Sequence, residues 1–259
     1  MSHWYDTKGA PCYEVEGKKG MRPSTLRDAR KHGWVPSVST IWNDLVSRPM
    51  LNKWIQSELM SALWKEVHSA EHLSSGGGFP EYEKLARSRF NEKQQRVMSR
   101  GTDIHNHLEI YFSGGDTPRE HMFLCDSVAR VLDVKCGNSN EWVAEKSFSH
   151  PSGYGGKVDL HNDDWVVDFK TKEFPPKPDV KKMVYDDYGT QLAAYAQGLG
   201  GGRRLLNVFI DVGGDGHRCS VLEWEHTDID RFTSMFNHAL ELWKLVKKYK
   251  PSFIDRRIL

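Results

Sequence analysis

Apolar residues recur at helical spacing through the first half of the chain, and fall into short runs through much of the second. Ile41, Trp42, Leu45 and Val46 form one stripe behind the Pro36-Ser37-Val38-Ser39 lead-in, which predicts a helix. A second helix follows Pro49 on Leu51, Trp54, Ile55 and Leu59 and continues toward Val67. The Ser74 to Gly78 stretch predicts a flexible break. Another helix is expected over residues 81–95. Gly101 then starts or interrupts the next, which carries His105, Leu108, Glu109 and Phe112 and stops at Ser113-Gly114-Gly115-Asp116. Phe123, Leu124, Val128, Val131 and Leu132 predict a helix over residues 118–134. Residues 1–33 are polar and glycine-containing and predict irregular structure, with a hairpin across residues 12–15.

Beyond the turn expected at residues 137–140 the pattern changes. Residues 142–148, 156–160 and 165–169 are rich in strand-favouring residues and predict three strands in a meander. The proline-rich Phe174 to Pro178 stretch predicts a loop. A helix over residues 188–199, stopped by Gly200-Gly201-Gly202, precedes a buried strand at 205–212, a turn at 213–216 and a hairpin partner at 219–224. A last helix covers residues 228–249, with Ile229, Phe232, Phe236, Leu240, Trp243 and Val246 on one broad side. Helices followed by a mixed sheet, with a helix inserted between the third and fourth strands, predict one α/β domain with a helical N-terminal portion.

The chemistry concentrates at residues 153–172. Asp159 and Asp168 sit on adjacent expected strands, and Lys170, two residues past Asp168, shares its strand face. Paired carboxylates repel unless a cation lies between them, and a hard divalent ion suits their oxygens. His105 and Glu109 are one helical turn apart, so His105 can add a nitrogen ligand and Glu109 can orient it. A nitrogen donor keeps Mn²⁺ in play beside Mg²⁺. Gln191 and Tyr195 share a helix face, where they can contact phosphate or brace Lys170. Glu145 can add a carboxylate beside Asp159.

The chain has 259 residues and a formal net charge of +1, so a nucleic-acid partner has to be read from local patches. Arg87, Arg89, Arg96 and Arg100 on the helices, and Lys172, Lys177, Lys181 and Lys182 after the strands, are candidate phosphate contacts. Trp34, Trp42 and Trp54 are candidates for stacking on unpaired bases. Cys12, Cys125, Cys136 and Cys219 form no CxxC pair, which favours free thiols in a reducing, cytoplasmic compartment. No membrane span, signal peptide or P-loop is expected.

Four motifs in order, RGTDIHNHLEIY (100–111), GYGGKVDL (153–160), VVDFKT (166–171) and QLAAY (191–195), resemble the PD-(D/E)XK nuclease superfamily. Within it they look like the RecB-type exonuclease branch, in the group of mitochondrial genome maintenance exonucleases and their phage relatives. WVPSVSTIW (34–42), with Leu51 and Trp54 behind it, resembles the opening segment of that group. The resemblance implies a restriction-endonuclease-like α/β core, a mixed central sheet flanked by helices, over residues 98–259. Residues 1–97 would form a helical, substrate-covering region. It implies His105, Asp159, Asp168 and the Phe169 carbonyl as ligands of Mg²⁺ or Mn²⁺, Lys170 as the catalytic lysine, and Gln191 and Tyr195 beside it. Glu109 and Glu145 match acidic positions around such sites. Some members, among them CRISPR-associated nucleases, hold an iron–sulfur cluster on one early and three late cysteines. With Cys219 last and no trio, none is expected here.

The implied activity is phosphodiester hydrolysis on single-stranded DNA or frayed duplex ends, from an end, leaving 5′-phosphate and 3′-hydroxyl. The setting would be a bacterial or phage-infected cell, with replication or recombination proteins as partners in DNA repair or recombination. A structure-selective endonuclease and a non-catalytic DNA-binding accessory protein are the alternatives. Intact Asp159, Asp168 and Lys170 argue against the latter, because binding alone does not need that trio.

Overall fold

A computed structural model describes residues 2–47, 49–68, 79–137, 141–213 and 218–251, except the side chains of residues 49–51. The break expected at Ser74 to Gly78 lies outside the described residues, as do 138–140 and 214–216 of the two expected turns.

The chain divides into two compact units, Met1–Leu45 with His105–Leu259, and Val46–Ile104. The first is built on a five-stranded mixed sheet of order β5-β6-β7-β8-β9. Strands β5 (Val143–His150), β6 (Tyr154–His161) and β7 (Trp165–Lys172) run antiparallel as a meander. Strand β8 (Arg204–Asp211) lies parallel to β7, and β9 (Cys219–Glu223) closes antiparallel on β8. A parallel neighbour requires a crossover. Here helix α6 (Asp186–Gly198) supplies it and packs on β5 to β8. Helix α7 (His226–Lys247) lies against α6, and Gly189 of α6 admits the Phe232 ring: a Cβ there would sit 2.1 Å from Phe232 Cε2.

Burial follows sheet position. The interior strand β8 is buried from Leu205 to Asp211, whereas edge strand β9 is half-buried throughout. The apolar run of β8 is what a strand covered on both faces requires. Its two polar interruptions, Asn207 and Asp211, are both buried and need partners.

The N-terminal residues are more ordered than their composition predicts. Strand β1 (Trp4–Tyr5) pairs with β4 (Val35–Pro36), and β2 (Glu14–Gly17) with β3 (Gly20–Pro23). The hairpin therefore spans Glu14 to Pro23, rather than residues 12–15. Helix α1 (Leu26–His32) starts at a Thr25–Asp28 capping box and ends at Gly33, whose φ of 72° is the left-handed conformation glycine takes freely. This segment belongs to the sheet unit. Tyr5 lies against Gly155, Ser37 bridges to Gly155, and the Trp4 ring meets Trp243. Helix α2 (Val38–Leu45) packs on α6 and α7.

The Val46–Ile104 unit holds helix α3 (Pro49–Val67) and most of α4 (Phe79–Phe112). Helix α4 is continuous for 34 residues, so Gly101 neither starts nor interrupts it. One glycine costs about 1 kcal/mol in a helix interior, too little to end a helix held on both sides of it. The expected domain boundary after residue 97 falls inside this helix, and residues 1–45 join the sheet unit. Helix α5 (Arg119–Cys136) follows, with Cys125, Val128 and Leu132 buried. No described helix is long and apolar enough to cross a membrane.

Candidate active site

The β6–β7 ladder holds for two pairs, Leu160↔Val167 and His161↔Val166, and then parts. A parted ladder frees backbone donors that must be satisfied elsewhere. The Asp159 carboxylate takes one of them: its Oδ2 accepts the Phe169 amide N–H at 2.8 Å. The same oxygen lies 3.5 Å from Nδ1 of His105, delivered by the end of α4. Across the β5–β6 ladder, Ala144↔Leu160 and Lys146↔Val158 flank Glu145, which places it opposite Asp159. Glu145 has a φ of 53°, a left-handed conformation costly for a residue with a side chain and typical of constrained functional positions. Its carboxylate pairs with Lys157. His105, Glu145 and Asp159 each offer a ligand atom within 4.8 Å of the others. Glu109, one turn beyond His105, is close enough for its charge to act on both Glu145 and Lys157.

A second cluster adjoins the first. Asp168 is buried and its two oxygens are separately engaged: Oδ1 accepts from Lys170 Nζ at 2.8 Å and Oδ2 from Asn207 Nδ2 at 2.8 Å. Lys170 also donates to Gln191 Oε1 at 3.4 Å, and Gln191 Nε2 donates to the Tyr195 hydroxyl at 2.8 Å. The Lys170 ammonium stands 5.1 Å from the centre of the Tyr188 ring. Asp168 lies outside the three-ligand group formed by His105, Glu145 and Asp159.

The two aspartates shift in opposite directions. Burial raises Asp168 above the ordinary carboxylate range, and the charge of Asp159 adds to this against the pull of Lys170. Burial also acts on Asp159, but His105, Lys170 and the Phe169 amide outweigh it and hold that carboxyl low. Burial pulls His105 down, yet the bond and charge of Asp159 leave it raised overall. Glu145 is raised, by burial first and by the charges of Asp159 and Glu109. Burial and then the two aspartates push the Tyr195 phenol up, so it stays a neutral donor. Carboxylates set apart in this way divide roles between charged and protonatable groups.

The donor set fits a hard divalent cation. Two carboxylates and one imidazole converge, and a third carboxylate, Glu109, stands one helical turn from the imidazole. Phe169, whose carbonyl the family resemblance implies as a ligand, is anchored by its amide on Asp159. Its ring lies edge-on to His105 and stacks with Phe112.

The outlying candidates divide by exposure. Arg87, Arg89, Arg96 and Arg100 are exposed on α4, Arg87 paired with Glu83 and Arg89 with the buried Glu66. Lys177, Lys181 and Lys182 are exposed after β7. Lys172 is not: it is half-buried, donates to the Met183 carbonyl and lies over the Tyr185 and Tyr188 rings, so it braces the loop. Trp54 is exposed, and Trp34 is half-buried against the His32 ring. Trp42 is buried, and its indole N–H donates to Asp187 at 2.8 Å. That corrects its expected role, because a ring sealed in the core has no free face for a base.

Sequence reasoning missed Asn207, Lys157 and Trp224, whose Nε1 donates to Asn207 Oδ1 at 2.9 Å. The available signal was Asn207 itself, an amide inside the apolar run Leu205 to Ile210.

Fold and site together define a mixed α/β protein, a central sheet flanked by helices, with a candidate cation site where β6 and β7 part. No protein-family profile and no curated protein matches the chain. Among solved structures, the alkaline exonuclease LHK-Exo from Laribacter hongkongensis is 18% identical over 48% of this chain and 68% of that one, with a TM-score of 0.30. The same protein in complex with dAMP gives 17% identity over 48% and 66%, with a TM-score of 0.33. The protein SSO0001 gives 13% identity over 71% and 84%, with a TM-score of 0.29.

Proposed function

We propose that the protein is a divalent-metal-dependent DNA exonuclease that hydrolyses phosphodiester bonds in single strands or frayed duplex ends. The observation that carries this reading is the placement of the Lys170 ammonium on Asp168, beside the convergent His105, Glu145 and Asp159. Binding alone has no use for a lysine held among buried carboxylates.

His105, Glu145 and Asp159 would hold Mg²⁺ or Mn²⁺, with Asp168 and the Phe169 carbonyl as further ligands. The ion supplies Lewis-acid stabilisation of phosphate oxygens and a more acidic water. Lys170 has three N–H donors, and Asp168 and Gln191 take two. The third is available to the attacking water or to a nonbridging phosphate oxygen, where charge develops in the transition state. Tyr195 holds Gln191, and Gln191 holds Lys170. Glu109 orients the His105 end of the site. In-line attack on phosphorus with departure of the 3′ oxygen leaves 5′-phosphate and 3′-hydroxyl.

The exposed Lys177, Lys181 and Lys182, with Arg87, Arg89, Arg96 and Arg100, contribute sequence-independent phosphate contacts. Exposed Trp54 and the accessible part of Trp34 offer faces for unpaired bases. Replication or recombination proteins are the natural partners of such an activity.

The test is a time course on 5′- and 3′-labelled linear single strands, duplexes and closed circles, in Mg²⁺, in Mn²⁺ and in EDTA. Linear strands are digested with either ion, circles survive, and EDTA stops the reaction. Lys170→Ala lowers the rate by about 1,000-fold while circular dichroism shows that the protein still folds. Circles cut as fast as linear DNA would make the protein an endonuclease, and full activity in Lys170→Ala would remove the catalytic assignment altogether.

A further inference from the structure

Resting on the nuclease reading, we propose that Asn207 is a positioning residue: it clamps the Asp168 carboxylate in the orientation that meets Lys170, and Trp224 in turn fixes the Asn207 amide. The parallel register pairs Asp168 directly with Asn207 on the neighbouring strand. Asn207 is fully buried between Leu206 and Val208, in a strand otherwise apolar from Leu205 to Ile210. An amide at such a place costs several-fold more when unpaired than it gains when paired. Its whole polar inventory is directed at two partners.

The direction of the clamp follows from chemistry. An indole N–H only donates, so the amide oxygen of Asn207 must face Trp224, at 2.9 Å. The amide NH₂ therefore faces Asp168, with Oδ2 at 2.8 Å and the Asp168 carbonyl at 3.5 Å. A carboxylate rotates about a broad, soft terminal torsion and is not oriented by rotamer preference alone. Lys170 holds one oxygen and Asn207 the other, which fixes the plane. Loss of the Trp224 N–H leaves the amide oxygen without its donor and loosens the plane in which the amide holds the carboxylate. The Trp224 main chain is held separately, its N–H donating to the Leu205 carbonyl at 3.0 Å, and its ring packs edge-on to Phe232 at 4.9 Å. Trp224→Phe removes the N–H donor together with part of the ring, so thermal unfolding is read beside it to separate lost packing from the lost hydrogen bond.

The experiment compares wild type, Trp224→Phe, Asn207→Leu and the double variant. It measures cleavage of linear single-stranded DNA, thermal unfolding, and NMR exchange of the Asn207 side-chain amide protons without metal. In Trp224→Phe, kcat falls about tenfold while KM stays within about twofold, because orientation of the reacting groups is lost but substrate binding is not. Its Asn207 amide protons exchange about tenfold faster, as expected for a local opening. Asn207→Leu lowers kcat further, and the double variant is no slower than Asn207→Leu alone, since both act through one contact. Unchanged kcat in Trp224→Phe, a loss confined to KM, multiplicative effects in the double variant, or unchanged amide exchange would each overturn the proposal. If the wild-type protein cleaves nothing, the nuclease reading fails, while the exchange measurement still decides whether Trp224 holds the amide.

Discussion

Among the described residues, the largest fully buried side chains all lie in the sheet unit and none in the helical one, although both units expose some large apolar residues. Across Val46–Ile104, Trp54, Met60, Trp64, Phe79, Val97 and Met98 are all exposed, and the ion pairs Arg87–Glu83 and Lys93–Glu58 lie largely in solvent. In the sheet unit, Trp4, Trp165, Trp243, Tyr154, Phe209, Phe232 and Phe236 are fully buried. Buried polar groups there, Asp168, Asn207 and Asp211, are held by specific partners. Removing water from such groups makes each lost partner expensive, whereas a solvated ion pair is replaced by water at little cost. The sheet unit should therefore be sensitive to single atoms and the exposed positions of the helical unit tolerant of whole side chains.

The sharpest test away from the proposed chemistry is Asp211. Its Oδ1 accepts the amides of Phe174 and Gly213, both at 2.9 Å, and its Oδ2 accepts Arg218 Nε at 2.7 Å. Asp211→Ala should cost about 3 kcal/mol in denaturant unfolding, because it strands three donors around one buried site. The same carboxylate predicts an acid dependence. Burial pushes it up, but the two amides and the guanidinium outweigh burial and hold it below its ordinary value. A depressed folded-state pKa gives stability that is present above the unfolded value and lost as pH falls toward the folded one. The gap between wild type and Asp211→Ala should thus narrow below about pH 4. A gap constant down to pH 2 would deny Asp211 that role.

Gly189→Ala comes next. In an exposed helix this change stabilises by about 1 kcal/mol. Here the new methyl meets Phe232 inside the α6–α7 contact, and overpacking should turn the gain into a loss of about 2 kcal/mol by thermal unfolding. Trimming the ring with Phe232→Leu in the same chain should recover part of it. The smallest effect is expected for Arg87→Ala, within about 0.5 kcal/mol, since its pair with Glu83 is exposed on one helix. A loss of 2 kcal/mol there, by the approximate range expected of surface substitutions, would erase the contrast between the units.

Much of the architecture was legible because periodicity reports which face of an element is buried. The meander, the crossover helix and the β8–β9 hairpin are in place, with ends shifted by a few residues. Glycine misled at Gly101, whose cost of about 1 kcal/mol in a helix interior is too small to end the helix by itself. Polarity misled over residues 1–33, where capping and short strand pairing organise a segment with little apolar content. Trp42 showed the limit of residue type: an aromatic side chain marks a large contact area but does not say whether a base or the core fills it.

Spacing along the chain determined which candidate residues stand together, since positions within one helix or strand fix neighbours one turn or two residues apart. Lys170 beside Asp168, His105 below Glu109 and Gln191 below Tyr195 all follow from that geometry. Tertiary structure alone decided what else reaches these groups from distant segments: Asn207 across a parallel ladder, and Trp224 behind it. Strand register between distant segments is set by the burial of whole faces and by the crossover connecting them. No local pattern encodes it, so the partners of a buried carboxylate become visible only when the sheet is assembled.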